Sequence, residues 1–448
     1  MSNSQPSLIL VLNCGSSSIK FALFDAQACP LPRKPLWHGK VQGIAGPAPE
    51  YSDSGTAQQR IHLDHVHPHT AALALIQARI VARLDGRRIV AIAHRVVHGG
   101  NRYFEPTVVT AGTIAELRAL IPLAPLHQPF PLKAMSLLFE QWPGIVQVAC
   151  FDTAFHRTMP KVEQILPLPY SAWERGLRRY GFHGLSYDYM SHVLPERHGD
   201  LARGRTIVAH LGSGASLCAM QNLQSIATTM GFSALDGLMM GTRTGSLDPG
   251  ALLYLMEIEK LSLEEVGRTL YNQSGLLGVS GISAEPRVVV KHESDSGEVG
   301  ERARIALALY VRRIVREIGA LTAVLGGLDL LDDFLVLRHA AGGDGVDRPG
   351  QADDRQRGGH PAPGLCGGRC ATRAFQVALV EQAVDLAGEH DRDHAGDDAR
   401  EAQARQAAHE ERQDGDDDRP ADAAECSGAD LRPCFVAHGA PDIHRECL

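Results

Sequence analysis

The stretch Asn13-Cys14-Gly15-Ser16-Ser17-Ser18-Ile19-Lys20 lies between two apolar runs and decides how the start of this chain folds. The run Leu8 to Leu12 predicts a buried strand, and Phe21 to Phe24 predicts its hairpin partner. In the turn between them, small residues allow close backbone approach, hydroxyl and N–H groups donate to anion oxygens, and a Lys supplies charge. The spacing differs from a GxxxxGK[ST] loop, and a strand follows instead of a helix. We therefore predict a phosphate-binding hairpin, although a serine-rich turn taken alone is more often only a turn.

Length and composition narrow the function classes. A chain of 448 residues with 44% hydrophobic content is expected to form two or three domains with large cores. Its net charge of -8 argues against nucleic acid or an anionic membrane as the main partner. The first apolar run is too short to span a bilayer, and no positively charged leader with a cleavage site precedes it. We expect a cytoplasmic protein, and the four scattered cysteines before residue 331 suit reduced thiols.

The composition changes abruptly near residue 331. From Leu331 to Leu448, Leu, Ile, Val and Phe make up 18 of 118 residues, and Lys, Met, Tyr and Trp are missing. Such a composition buries too little apolar surface to offset chain entropy, so we predict that residues 332–448 are mostly disordered. Two interpretations are open: a natural tail of mixed charge, or translation of a GC-rich gene in a wrong frame. The abruptness of the change, just after an apolar helical segment at 301–328, favours the frameshift.

Before residue 331 the chain is typical of an α/β protein. Strand-like runs at 89–93, 145–150 and 207–211 are separated by helical patterns at 113–120 and 131–139. Polar motifs follow the strands, and the carboxyl ends of strands face the ligand crevice in α/β sheets. These motifs are Ala93-His-Arg95-Val-Val97-His98-Gly-Gly100, Leu123-Ala-Pro-Leu126-His127-Gln-Pro129, Phe151-Asp152-Thr-Ala-Phe-His156, Tyr180-Gly-Phe182-His183-Gly184, Ala209-His210-Leu-Gly212-Ser213-Gly214-Ala-Ser216 and Gly241-Thr-Arg243-Thr-Gly245.

Each motif alone has an ordinary structural interpretation, such as a capping residue or a surface turn. Two Gly/Ser turns that each follow a strand indicate more, because actin-like folds present two such loops to one nucleotide. Together with two Arg, several His and one Asp, they supply what phosphoryl transfer to a small anion needs.

Residues 8 to about 330 resemble the acetokinase family of the actin/Hsp70/sugar-kinase superfold. The matching segments appear in the family's order and are Asn13-Cys-Gly-Ser-Ser-Ser-Ile-Lys20, His94-Arg95-Val-Val-His-Gly-Gly100, Tyr180-Gly-Phe-His-Gly-Leu-Ser186, His210-Leu-Gly-Ser-Gly-Ala-Ser216 and Met239-Met-Gly-Thr-Arg243. The resemblance implies two actin-like α/β domains of ribonuclease H-like type, at 1–150 and 151–331, with a nucleotide cleft between them. It implies Mg²⁺-dependent transfer of the ATP γ-phosphoryl group to acetate, and a homodimer.

Residue roles follow from the same resemblance. Catalysis is assigned to Asp152, His183 and Arg243. The acetate carboxylate is assigned to Arg95, and the acyl methyl group to Val97, Leu126 and Phe182. ATP binding is assigned to Lys20, His210, Leu211, Gly212, Ser213, Gly214, Glu285 and Arg287, and Mg²⁺ to Asn13. Because acetate is already ionised at neutral pH, we expect Asp152 to position the metal or a catalytic side chain instead of acting as a base.

The chain departs from the family pattern in three places. Ala227 and Glu285 stand where the family has Asp, and no Gly-Ile-Gly-Glu-type adenine loop follows Leu331. We therefore expect weak ATP binding and slow turnover or none. Ala234 stands where many relatives carry Pro, so propionate is the alternative substrate. A non-catalytic, actin-like nucleotide-binding protein is the alternative from another class, and the joint presence of Asn13, Arg95, Asp152, His183 and Arg243 argues against it.

Overall fold

The computed structural model of this chain describes residues 7–28, 32–125 and 127–333. The strands in these residues are β1 (Ser7–Cys14), β2 (Ser18–Asp25), β3 (Trp37–Gln42), β4 (Glu50–Asp53), β5 (Thr56–Arg60), β6 (Arg88–Val96), β7 (Thr107–Val108), β8 (Val146–Phe151), β9 (Thr206–Leu211), β10 (Ala215–Gln221), β11 (Gln224–Thr228) and β12 (Leu330–Asp333). The helices are α1 (Pro68–Val81), α2 (Ala111–Arg118), α3 (Pro129–Gln141), α4 (Lys161–Gln164), α5 (Tyr170–Glu174), α6 (Gly184–His198), α7 (Pro249–Glu257), α8 (Leu263–Asn272), α9 (Gly275–Ser280), α10 (Pro286–Val290) and α11 (Gly297–Leu325).

The first sheet is built from residues that precede Asp152. Its strand order is β5-β4-β3-β2-β1-β6-β8-β7. Strands β1 and β2 form the predicted antiparallel hairpin, in which Asn13 lies opposite Lys20. Alternate residues of β1, Leu8, Leu10 and Leu12, are buried, so the period-2 pattern sets which face packs on the core. The parallel neighbours β6 and β8 bring their carboxyl ends to the edge where β1 ends.

The second sheet repeats part of the first. Its order, β11-β10-β9-β12, has two antiparallel pairs and then a parallel strand, as β3-β2-β1-β6 has. The Gly212–Gly214 turn between β9 and β10 therefore corresponds to the Gly15–Ser17 turn between β1 and β2. The predicted α/β fold with two glycine- and serine-containing hairpin turns is confirmed, while the domain boundaries at 150 and 331 remain predictions.

Helix α11 is the core helix of the second sheet. It buries Ala303, Ala306 and Tyr310, among others, and ends at Gly326, whose φ of 72° closes the helix in the left-handed region. The predicted helix at 301–328 is thus present and lies slightly earlier in the chain. The strand that follows it is β12, which pairs with β9. The disorder predicted for 332–448 concerns a segment that, from residue 334 on, lies outside the described residues. No helix within the described ranges has the length and apolar character needed to cross a bilayer.

Candidate active site

Arg95 and Asp152 form an ion pair at the carboxyl ends of two neighbouring strands. Arg95 lies on β6, and Asp152 directly follows β8, where its N–H donates to the Val96 carbonyl at 2.9 Å. Arg95 Nη2 donates to Asp152 Oδ2 at 2.6 Å, and Nε donates to Oδ1 at 3.1 Å. The Asp152 carboxylate raises the pKa of the Arg95 guanidinium. Arg95 Nη1 also donates to Asn13 Oδ1 at 3.3 Å, which joins the end of β1 to the same centre.

His183 lies beside this ion pair in an unusual backbone conformation. Its φ is 59°, in the left-handed region that few residues other than Gly adopt, and helix α6 begins directly after it. The next residue, Gly184, donates its N–H to the Asp152 carbonyl at 2.8 Å. A Cβ at position 184 would lie 2.1 Å from that carbonyl oxygen, so only Gly fits. This contact fixes His183 with respect to Asp152.

The electrostatic environment keeps the His183 imidazole neutral. Burial lowers its pKa well below the usual value, and His210, Arg95 and Arg243 lower it further. The His183 and His210 rings stack with centroids 4.0 Å apart and planes 19° apart. His183 is therefore a neutral hydrogen-bonding group whose pKa the Arg95 and Arg243 guanidinium groups lower further.

The second Gly/Ser turn meets His183 and Arg243. The turn closes through a hydrogen bond from Gly212 N–H to the Gly214 carbonyl at 3.2 Å. A Cβ on Gly214 would lie 3.2 Å from His183 Nε2 and 3.6 Å from Arg243 Nη1. Both side chains thus border the turn. Leu211 is buried beneath it, whereas Gly212 and Ser213 are exposed.

Arg243 is held by the loop that precedes α7. Its Nη1 donates to the Ala234 carbonyl at 3.2 Å and contacts Met240 Sδ at 3.8 Å. These contacts hold the guanidinium next to the Gly214 turn.

Two of the apolar residues predicted to surround the acyl group, Val97 and Phe182, lie in one cluster. Phe182 is buried in the core that α11 forms with the second sheet, and Val97 and Ala234 pack against that core as half-buried residues. Val97 directly follows β6, so the cluster includes residues from both halves of the described chain. Leu126, the other predicted member, lies outside the described residues.

The first Gly/Ser turn is supported by a histidine that no sequence motif indicates. Gly15 N–H donates to the Ser18 carbonyl at 2.8 Å, which closes the turn. His69 Nε2, on α1, lies 2.6 Å from the Ser16 carbonyl oxygen. Because 53 residues separate them, no local motif could indicate this contact.

The predicted nucleotide residues Glu285 and Arg287 lie at the start of α10. Glu285 is the N-cap of this helix, and Arg287 lies within it, half-buried. The preceding residue, Ala284, has its carbonyl oxygen 2.9 Å from where a Cβ of Gly241 would stand, two positions before Arg243. The roles of Glu285 and Arg287 in binding ATP, like that of Lys20, remain predictions.

The oxygen donors at this centre suit a metal ion that takes some of its ligands from the protein and the rest from water and a bound phosphate. Within the described ranges, no cluster of three or more His, Cys, Asp or Glu side chains could hold a metal ion by itself. Asn13 Oδ1 and the Asp152 carboxylate both lie against the Arg95 guanidinium. Mg²⁺ prefers oxygen ligands and commonly takes one or two from protein and the rest from water and phosphate, so these donors fit it.

Comparison with known proteins identifies close relatives. The model of the acetokinase family matches residues 8–335. The chain is 47% identical over 328 residues to an acetate kinase of Rhodopseudomonas palustris (strain TIE-1), a match that covers 72% of this chain and 81% of that protein. It resembles the crystal structure of Porphyromonas gingivalis acetate kinase with a TM-score of 0.63 and 36% identity, covering 72% and 82% of the two chains. A propionate kinase from Francisella tularensis gives a TM-score of 0.64 with 33% identity over 72% of this chain and 82% of that chain.

Proposed function

Because this chain belongs to the acetokinase family, we propose that it transfers the γ-phosphoryl group of ATP reversibly to acetate. An acetate oxygen attacks the γ-phosphorus, the bond to the bridging oxygen breaks, and ADP leaves with that electron pair. The observation that carries the proposal is that His183 and Arg243 border the Gly214 turn, while Arg95, which is paired with the buried Asp152, acts electrostatically on His183. Phosphoryl transfer depends mainly on positioning and charge neutralisation, which such a set can supply.

Arg95 is the group that we assign to the acetate carboxylate. Its guanidinium side chain is 36% exposed while its partner Asp152 is 2% exposed, so the cation faces the cleft and the anion lies behind it. The methyl group of acetate would lie among Val97, Leu126 and Phe182. This assignment leaves Asp152 as the residue that orients Arg95, in accord with a nucleophile that needs no deprotonation.

His183 and Arg243 are the groups that we assign to the transferring phosphoryl oxygens. Both border the Gly214 turn, where a neutral donor and a cation can share charge that develops in the transition state. Lys20 and the segment His210 to Gly214 would contact the ATP phosphates, and Glu285 and Arg287 would lie at the nucleoside end.

Asn13 is the side chain that we assign to Mg²⁺. A bound Mg²⁺ would neutralise charge on the β- and γ-phosphates. Asn13 Oδ1 would supply a neutral oxygen ligand. The hydrogen bond that it accepts from Arg95 Nη1 would hold it close to the acetate-binding residue.

The cysteines bear on the cellular location of the chain. We assign the chain to the cytoplasm, in accord with Cys14, Cys150 and Cys218, which are all free thiols.

A homodimer is supported by helix α7, since within the described chain this apolar helix has no buried residue. Leu253 is 58% exposed, Tyr254 54% and Ile258 62%, a cluster of the kind that marks interaction sites. Leu253→Glu should halve the mass seen by light scattering, whereas Val162→Glu, at an exposed position on α4, should not.

The reaction is tested by acetyl phosphate formation from ATP and acetate, measured as hydroxamate and as ADP release. The full chain should form acetyl phosphate slowly, and Arg243→Ala should abolish it. ATP binding without any transfer, in the full chain and after its reading frame is restored, would identify a nucleotide-binding protein instead.

Propionate is a second candidate substrate. Ala234 borders the cluster formed by Val97 and Phe182, and a Pro there would occupy more of the space. Because one methylene is worth about 1–3 kcal/mol of discrimination, Ala234→Pro should lower the preference for propionate relative to acetate by about tenfold. Equal rejection of propionate and butyrate by the unaltered chain would contradict this substrate range.

A further inference from the structure

A buried chain of hydrogen bonds leads from the core of the second sheet to His183. The Tyr187 hydroxyl lies 2.6 Å from Ser216 Oγ, and Ser216 Oγ lies 2.7 Å from His183 Nδ1. Tyr187 lies one helical turn after His183 on α6, and Ser216 lies on β10 opposite His210. Tyr187 and Ser216 are both fully buried, and neither has a role in the reaction as assigned above.

The donor and acceptor directions along this chain are determined by the two hydroxyl groups. Burial raises the pKa of the Tyr187 phenol well above its usual value, with a smaller contribution from Cys218, so the phenol keeps its proton. The Tyr187 hydroxyl contacts Ser216 Oγ and also the backbone of His210, and the His210 contact lowers the pKa of the phenol, as an N–H donor does and a carbonyl acceptor would not. Ser216 Oγ is therefore the acceptor for the Tyr187 proton. The single proton of Ser216 then points to His183 Nδ1, which accepts it.

We propose that Tyr187 and Ser216 hold His183 in the tautomer that carries its proton on Nε2, so that Nε2–H faces the transferring phosphoryl group. This inference rests on the proposed function for its catalytic meaning, although the tautomer itself does not depend on it. Nε2 is the ring atom that borders the Gly214 turn next to Arg243. Ser216 and Tyr187 are thus positioning residues for a neutral donor.

The opposite tautomer would work against phosphoryl transfer. With the proton on Nδ1, the Nε2 lone pair would face the phosphoryl oxygens and repel them. The ring also has little freedom to turn over, because His210 stacks on it and the backbone of His183 is fixed by the contact between Gly184 and Asp152. Selection of the tautomer by hydrogen bonding at the other ring nitrogen is a general way to orient a histidine.

The tautomer can be read directly by ¹⁵N NMR of the full chain labelled at histidine. The His183 signals are those that disappear in His183→Gln. In the unaltered chain we expect Nδ1 in the range of an unprotonated nitrogen and Nε2 in the range of a protonated one. Ser216→Ala should shift both toward intermediate values, and Tyr187→Phe should do so less. A proton on His183 Nδ1 in the unaltered chain would overturn the proposal, whether or not the variants fold.

Kinetics supply the second readout. Ser216→Ala should lower kcat about tenfold, the worth of one hydrogen bond, with KM for acetate and ATP within twofold. The matched control is Ser225→Ala, since Ser225 is a buried serine whose Oγ lies 2.9 Å from Nδ1 of another buried histidine, His156. That variant should lose comparable stability and leave the His183 signals unchanged. An unchanged tautomer in Ser216→Ala would contradict the proposal. The expected tautomer in a chain that forms no acetyl phosphate, even after its reading frame is restored, would contradict only the proposed function.

Discussion

The Asp152 carboxylate lies 2.6 Å from Nη2 of Arg95, with the acid 2% exposed and the arginine 36% exposed. The buried anion thus holds a cation at the edge of the cleft. A general base must face the proton that it removes, but both carboxylate oxygens of Asp152 accept hydrogen bonds from Arg95. Since acetate needs no base, this geometry supports a role for Asp152 in orienting Arg95.

Asp152→Asn tests that role. The amide keeps the size of the side chain and one acceptor oxygen, but it removes the charge that fixes Arg95. We expect kcat/KM for acetate to fall about 10- to 100-fold, the range for a hydrogen bond to a charged group, mostly through a higher KM. Steady-state kinetics with varied acetate measure this. A loss confined to kcat would contradict this role and indicate instead that Asp152 acts as a general acid or base.

Arg95 and Arg243 are expected to differ in which kinetic constant they control. Arg95→Ala should mainly raise KM for acetate, because a ground-state contact to the carboxylate is lost. Arg243→Ala should mainly lower kcat, because its contact forms with the transferring phosphoryl group. Each loss should amount to about 100-fold or more. Arg88→Ala, at the exposed opposite end of the same strand as Arg95, is the matched control and should change neither constant. Full activity in both active-site variants would refute the assignment.

Gly184 is expected to be irreplaceable because there is no room for a side chain at this position, and not because the backbone there needs the conformational freedom of glycine. A Cβ there would lie 2.1 Å from the Asp152 carbonyl oxygen, so the backbone must move. Overpacking of this kind costs about 1–3 kcal/mol or more. Gly184→Ala should therefore lower the free energy of unfolding by at least that amount in urea denaturation. Gly319→Ala, inside α11 with no atom within 4 Å of the added carbon, should raise it by about 1 kcal/mol. Equal midpoints for the two variants would contradict this packing.

The sequence was sufficient to predict those parts of the site that are written in local motifs. Both glycine/serine turns, the strand before Asp152 and the helix before residue 326 follow from short-range patterns that the fold keeps. Contacts between distant segments could not be predicted in this way. His69, on helix α1, supports the turn between β1 and β2, and the role of Ser216 depends on Tyr187, which is 29 residues away. Hydrogen bonds between distant helices and strands depend on how these elements pack, and the hydrophobic periodicity of the sequence carries no information about that packing.

Stability should fall on mild acidification because several histidines are buried without charge. Burial lowers the pKa of His94, His98 and His156 to about 4, and that of His183 also lies well below its usual value. In the unfolded chain these groups titrate near pH 6.5. Below that pH the unfolded chain binds protons that the folded chain excludes, so each histidine removes up to about 1.4 kcal/mol of stability per pH unit until the folded pKa is reached.

The measurement for this pH dependence is the urea midpoint at pH 7.5, 6.5 and 5.5. The midpoint should change little between the first two values and drop between the last two. His156→Gln should reduce the drop, while His62→Gln, at an exposed position, should leave it as it was. A midpoint that rises on acidification would mean that the buried histidines gain partners for their protonated forms.

The final prediction concerns the reading frame after residue 331. Among the described residues β12 pairs with β9 alone, whereas its counterpart in the first sheet, β6, has β8 on its far side. Helix α11, which packs on the same sheet, leaves Val299, Ile305 and Val324 about half exposed. If the chain after residue 331 is read in a wrong frame, the repeated topology predicts that the correct frame encodes a further strand beside β12, as β8 lies beside β6.

We therefore expect one of the other two frames of the nucleotide sequence around codon 331 to encode a strand followed by a Gly-Ile-Gly-Glu-like loop. A chain restored in that frame should form acetyl phosphate faster and bind ATP more tightly than the chain as it stands, because the restored loop would complete the adenine site. Comparing the two chains in one assay separates an effect of the tail from an error in the assigned site. If neither frame encodes such a segment, the tail is a genuine part of the protein, and rapid acetyl phosphate formation by the present chain would overturn the expected slow turnover.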